Sequence, residues 1–195
     1  MFYHNLNPDK TRDLDLDRVL FHGSDSFLLG PTTAPMPAPK RPDYQDLFTA
    51  EAGEEWRMET GSWRVENEFR VSNGAIRTAC VHLLPEHGAA ELHVAAASEE
   101  TEAYGIFITG QTLSICRKAN QIRLLDADGA TRWKMALPEG FRHDALHCLT
   151  LRWDKNSTVH LDHLLLHGLT LSLPETHIGY FADGAARFGS VTISG

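Results

Sequence analysis

Long apolar runs are missing from this chain. No stretch reaches the roughly eighteen consecutive apolar residues that a membrane-crossing helix requires, so no membrane segment is expected. The opening residues, MFYHNLNPDK, lack the basic-then-apolar order of a secretory leader, and the expected address is therefore cytoplasmic. Cysteine is scarce: Cys80, Cys116 and Cys148 are far apart, odd in number and set in alternating apolar runs such as TACVHLL and LHCLTLRW. That excludes a disulfide framework and predicts free buried thiols, because no basic cluster accompanies any of them to stabilise a thiolate. Positive charge is in deficit as well. Eighteen Lys and Arg against 26 Asp and Glu leave a formal charge of -8, and the basic residues are scattered singly, which excludes nucleic acid as a partner.

What the chain has instead is alternation. From about residue 61 onward, segments of period-two hydrophobicity follow one another: SWRVENEFRVS, GAIRTACVHLL, AELHVAAA, YGIFITG, TLSICRK, NQIRLLDA, TRWKMAL, LHCLTLRWD, TVHLD, LLLHGLTLSL, HIGYFAD and ARFGSVTISG. Each reads as a strand with one buried face. The breaks carry turn residues, among them Ser72-Asn73-Gly74, Thr109-Gly110, Asp128-Gly129 and Asp183-Gly184. Strands this dense leave no room for long helices beyond a brief one around Glu51 to Arg57. The class expected is all-β, an antiparallel sandwich or jelly roll.

The first thirty residues behave differently. FYHN and DLDLDRVLF read as two strands of a hairpin joined by the polar turn LNPDKTRD. A lone hairpin buries too little apolar surface to be stable in water, so it needs a surface to lie on. Behind it, Pro31, Pro35, Pro37, Pro39 and Pro42 make a stiff, extended strap. The expected organisation is therefore a hairpin over 1–30, a Pro-rich linker over 31–43 and a sandwich over 44–195.

Tryptophan and tyrosine faces could stack on the apolar side of sugar rings. Of Trp56, Trp63, Trp133, Trp153, Tyr104 and Tyr180, the alternation turns Trp63 and Trp153 inward, which leaves Trp133 as the candidate carbohydrate contact. Histidines cluster as His160, His163 and His167 in HLDHLLLH and as His143 and His147 in HDALH. A turn at Asp162-His163 separates the first group, and surface or edge positions explain these rings better than a zinc site does.

The order FYHN, DLDLDRVLFHGSDSFLLGPTTAPMPAP, PDYQDLF and then SWRVEN resembles the C-terminal end of family 43 glycoside hydrolases. There a five-bladed β-propeller closes with a strand carrying a Tyr-His pair, followed by a Pro-rich crossover and a concanavalin A-like β-sandwich. By that resemblance the pair is Tyr3-His4, the closing strand is Asp15 to Phe21 and the exit is Gly30-Pro31-Thr32. His4 would then sit under the active site of the propeller, near a bound calcium or its water. Imidazole is a poor calcium ligand, so the remaining ligands would have to come from the propeller.

The resemblance also implies what this chain lacks. The catalytic carboxylates of family 43 lie in earlier blades, so no catalytic residue is expected here, and hydrolysis would require a propeller partner. Some concanavalin A-like enzymes carry their carboxylates along one strand as Glu-x-Asp-x-x-Glu; no such run exists here. Glu66 with Glu68, and Glu99 with Glu100 and Glu102, read as a solvated sheet face and a turn. Two functions are therefore expected. One is a non-catalytic accessory half of a family 43-like glycosidase acting on plant-type polysaccharide such as hemicellulose. It would dock on a propeller chain, or self-associate, through residues 1–30. The alternative is a free-standing carbohydrate-binding module.

Overall fold

The computed structural model describes residues 2–6, 12–16, 18–22, 25–29, 42–49, 55–162, 164–171, 173 and 176–195, and over 2–29 the account below is of the backbone. Every regular element among them is a strand. The first four, β1 (Phe2–Leu6), β2 (Arg12–Leu16), β3 (Arg18–His22) and β4 (Asp25–Leu29), form two separate antiparallel pairs, β1 with β2 and β3 with β4. Where the sequence suggests one strand from Asp15 to Phe21, the extended backbone is divided between β2 and β3 on either side of Asp17, so two hairpins replace the single one expected. The linker over 31–43 lies outside the described residues except at Pro42 and Asp43.

The next strands are β5 (Tyr44–Asp46), β6 (Trp56–Thr60), β7 (Trp63–Glu66), β8 (Phe69–Ser72), β9 (Ile76–Cys80) and β10 (Gly88–Ala96). They are followed by β11 (Ala103–Ile108), β12 (Gln111–Cys116), β13 (Gln121–Asp126), β14 (Thr131–Ala136) and β15 (His147–Trp153). The chain ends with β16 (Ser157–Leu161), β17 (Leu164–Leu165), β18 (Ile178–Asp183) and β19 (Ala186–Ser194). One sheet runs β17-β16-β15-β10-β19-β8-β7, with β5 also paired to β19. The other runs β14-β13-β12-β11-β18-β9-β6. The fold is the all-β antiparallel sandwich that the alternation predicts, of the concanavalin A-like jelly-roll kind that the resemblance implies, and no helix is found among the described residues. Trp56 and Arg57, at the end of the brief helix considered for Glu51 to Arg57, belong to β6; residues 51–54 lie outside the description.

The two sheets meet through their alternate residues. Leu92 and Val94 of β10 and Leu149 and Leu151 of β15 share one buried cluster with Ile106, Leu113, Ile115 and Ile122 of the facing sheet. Burial of this kind is the main stabilising term, about 25 cal/mol per Å² of apolar surface. Cys80 and Cys148 are buried, Cys116 is half-buried, and none of the three is in a disulfide among the described residues.

An ionic knot closes one side of the core. The Asp46 carboxylate accepts the Phe48 N–H and the Trp56 indole N–H, each at 2.8 Å, and stands 3.8 Å from the guanidinium of Arg70, whose side chain is almost wholly buried. Arg70 lies over the Phe48 and Trp63 rings at 4.9 and 5.1 Å, where their π faces attract the cation. Trp56 stacks on Tyr180, and Tyr180 packs on Phe188.

Two departures from strict alternation have physical causes. SWRVENEFRVS is not one strand but a hairpin, because Asn67 and Glu68 take φ of 51° and 61°, the paired positive values of a tight two-residue turn. In LLLHGLTLSL, Leu169, Leu171 and Leu173 are buried as alternation requires and Leu166 is buried out of phase with them, yet only Leu164–Leu165 joins a ladder. The Leu171 N–H donates to the Ser157 hydroxyl, and the His167 carbonyl accepts the Trp133 indole N–H. Side chains there supply the partners that a neighbouring strand would otherwise provide.

Candidate functional site

The register of the seven-stranded sheet assigns its outer face residue by residue. Directly opposed residues share a face, so the pairings Lys134 with Arg123, Arg123 with Ser114, Ser114 with Gly105, Gly105 with Phe181 and Phe181 with Arg77 define one row across six strands. The next row includes Leu125, Thr112 and Phe107, which lead on to Gly179. The inward row between them holds Leu124, Leu113 and Ile106, all in the core. From Arg123 on β13 to Arg77 on β9 the face spans about 19 Å at the usual strand spacing.

The middle of this face carries small residues, and an open cavity lies toward each end. Ser114 and Thr112 are only 3% and 4% exposed although they turn away from the core. Two glycines keep the floor flat: a Cβ on Gly105 (φ 155°) would run into the Leu113 carbonyl, and one on Gly179 would lie 2.7 Å from the Ala79 Cα. At one end Arg77 lies over the Phe107 ring at 4.8 Å, and an open cavity of about 510 Å³ is lined by Glu59, Arg77, Phe181 and Asp183 among others. At the other end a cavity of about 540 Å³ is lined by Gln121, Arg123, Thr131, Arg132, Trp133 and Lys134.

Trp133 therefore borders a cavity, but its setting differs from an open platform. It stands opposite Leu124, packs half-buried against the core and donates its indole N–H to the His167 carbonyl at 3.1 Å. Within the same cavity Arg132 is already paired: Asp126 accepts its Nε at 2.6 Å. The Ala130 N–H, followed by Arg132 itself, holds the Asp126 carboxyl below its ordinary range.

His4 lies in β1 opposite Leu14, and its side chain is outside the described residues, as is His163. Among the described residues no group of three or more His, Cys, Asp or Glu stands together where it could hold a metal ion. His147 has Nδ1 2.8 Å from the Asp162 carboxylate and Nε2 2.7 Å from the Arg142 carbonyl, so both ring nitrogens face protein oxygens and neither is open to a ligand. His143 faces the Tyr104 hydroxyl at 3.0 Å, and burial, then Arg117 and His147, keep its ring below its ordinary pKa. These two rings fasten the loop before β15. Glu66 pairs with Arg64, while Glu99, Glu100 and Glu102 are exposed in and beside a turn.

The residues of this face escape sequence reasoning because they come from strands that are neighbours only after folding. Arg123, Ser114, Gly105, Phe181 and Arg77 are each unremarkable alone. The one usable signal is polar and small residues at alternate positions of apolar strands, as in TLSIC and YGIFI.

No family profile and no curated protein matches the chain. Solved structures do. The carbohydrate binding module CBM66 from Bacillus subtilis superposes with a TM-score of 0.56 at 14% identity, over 72% of this chain and 96% of its own. LamA from Zobellia galactanivorans, solved in complex with laminaritriose and laminaritetraose, gives 0.58 at 12% identity, over 80% and 99%. A non-specific endo-β-1,3(4)-glucanase from family GH16 gives 0.57 at 14%, over 84% and 98%. At such identities the likeness establishes the fold, shared with carbohydrate-binding modules and glycoside hydrolases. Among the described residues no helix is long and apolar enough to cross a membrane.

Proposed function

We propose that this protein is a carbohydrate-binding β-sandwich whose ligand lies along the outer face of the seven-stranded sheet. The observation that carries the reading is the row of small residues Gly105, Ser114 and Thr112 on the outer face between two open cavities. A floor of small polar side chains lets a chain of rings approach the backbone, and rims of Arg, Lys, Gln and indole supply donors and an apolar wall, the mixture that polar ligands require. The fold's company of carbohydrate-binding modules and glycosidases supports it. Trp133 contributes by bordering the cavity. Affinity electrophoresis against a polysaccharide panel tests the reading: the intact protein is retarded on at least one polymer, and Gln121→Ala and Trp133→Ala each weaken binding about fivefold or more, near 1 kcal/mol. Unretarded migration on every polymer contradicts it.

A second reading is that the sandwich serves as the accessory half of a family 43-like glycosidase. It is favoured by the β1-β2 and β3-β4 pairs, which join neither sheet of the sandwich and so keep strand edges that a propeller blade could pair with. His4 and a shared calcium belong to this reading. Mixed with a family 43-like propeller chain, the protein would co-elute in size-exclusion chromatography. Separate elution, with unchanged elution after deletion of residues 1–30, argues against it.

A further inference from the structure

We infer that the ligand of this face is an anionic glycan, and that its charged group, a uronate carboxylate or a sulfate ester, is bound between Arg123 and Lys134. The inference rests on the carbohydrate reading above and adds the charge of the ligand to it.

Three observations carry it. Arg123 and Lys134 are directly opposed across β13 and β14, on the outward side of the sheet. Like charges at such positions repel, so the pair weakens the sheet instead of supporting it. Neither has a carboxylate partner among the described residues, although the chain as a whole carries eight more acidic than basic side chains. Finally, the Arg123 Nε is buried with no hydrogen-bond partner among the described residues, in a side chain that lines the cavity. A buried donor on a cation is costly to leave unmade, and a small turn of the guanidinium toward the cavity would let an anion seated in its fork satisfy it.

The third cation there, Arg132, does not share this property, because Asp126 has taken it. The pocket therefore offers two uncompensated positive charges and a neutral amide from Gln121, with no acid in its lining. A carboxylate or sulfate would be welcomed there. A neutral hydroxyl could accept a hydrogen bond from Arg123 but would leave both charges uncompensated.

The test uses the full chain and calorimetric titration with three probes: oligogalacturonate for the carboxylate, a sulfated galactan oligosaccharide for the sulfate ester, and a neutral β-glucan oligosaccharide as control. Binding of either anionic probe is expected, with the neutral probe at least about tenfold weaker. Arg123→Ala should weaken the anionic probe about tenfold or more and Lys134→Ala less, since guanidinium makes the forked contact. Raising salt should weaken it further. Thermal melting of each variant guards against a folding defect, and Arg123→Lys, which keeps the charge but not the fork, should recover only part of the affinity. Neutral-probe binding equal to anionic binding, or anionic binding unchanged in Arg123→Ala, overturns the charge assignment and leaves the carbohydrate reading standing. Binding of none of the three overturns the charge assignment, and with unretarded migration on every polymer of the panel the carbohydrate reading falls as well.

Discussion

Asp46→Ala lowers the stability of the protein by about 3–5 kcal/mol, read as a fall in the urea midpoint with an unchanged slope. The size follows from what the carboxylate holds. Its oxygens accept the Phe48 N–H and the Trp56 indole N–H, and it is the acid beside the almost wholly buried Arg70. Removing one member of a buried ion pair costs more than the pair contributes, because the remaining charge keeps its desolvation penalty while losing that member's compensation. The rings of Phe48 and Trp63 beneath Arg70 offset only part of that loss, about 1–2 kcal/mol at a desolvated site. Asp46→Asn, which retains an acceptor for one N–H group, should fall between the two. A midpoint for Asp46→Ala within experimental error of the parent would show that the knot carries no weight.

Gly105→Val is expected to cost about as much, roughly 3–5 kcal/mol, by two separate routes. The backbone there takes φ of 155°, a strained conformation for a β-branched residue that costs on the order of 1–3 kcal/mol. The new Cβ also runs into the Leu113 carbonyl of the neighbouring strand, and overpacking of that kind costs a further 1–3 kcal/mol or so. Because Gly105 lies in the middle of the outer row, the valine would also raise the floor of the face. The expected result is a large drop in melting temperature together with lost glycan binding even well below the new midpoint. A variant that melts with the parent would contradict the close approach of β11 and β12.

The sandwich itself was legible because two-sheet burial forces alternation on each strand, and a one-residue slip would send Leu113 or Ile122 into water. Most turns were legible too, since Gly110, Gly129 and Gly184 sit at positive φ where a side chain would be strained. Asn67-Glu68 was not, because glutamate at the second turn position carries no local signal for that conformation. Nor was the irregular path after Leu165, where burial is periodic but Ser157 and Trp133 satisfy the backbone instead of a strand. Trp133 stands out from its neighbours in sequence, yet its indole N–H is spent on His167, and the cations beside it carry no signal as isolated residues. A binding face assembled by register from β14, β13, β12, β11, β18 and β9 exists only once the strands are paired.

The glycan is expected on one face of one sheet, and amide chemical shifts during a glycan titration test this most directly. Shifts that begin at Ser114, Gly105, Arg123 and Phe181 and leave Glu91, Thr150 and Thr192 on the opposite sheet unmoved are the predicted result. Shifts confined to the eight-stranded sheet or to the strands before Pro42, or none with any polysaccharide, would contradict it.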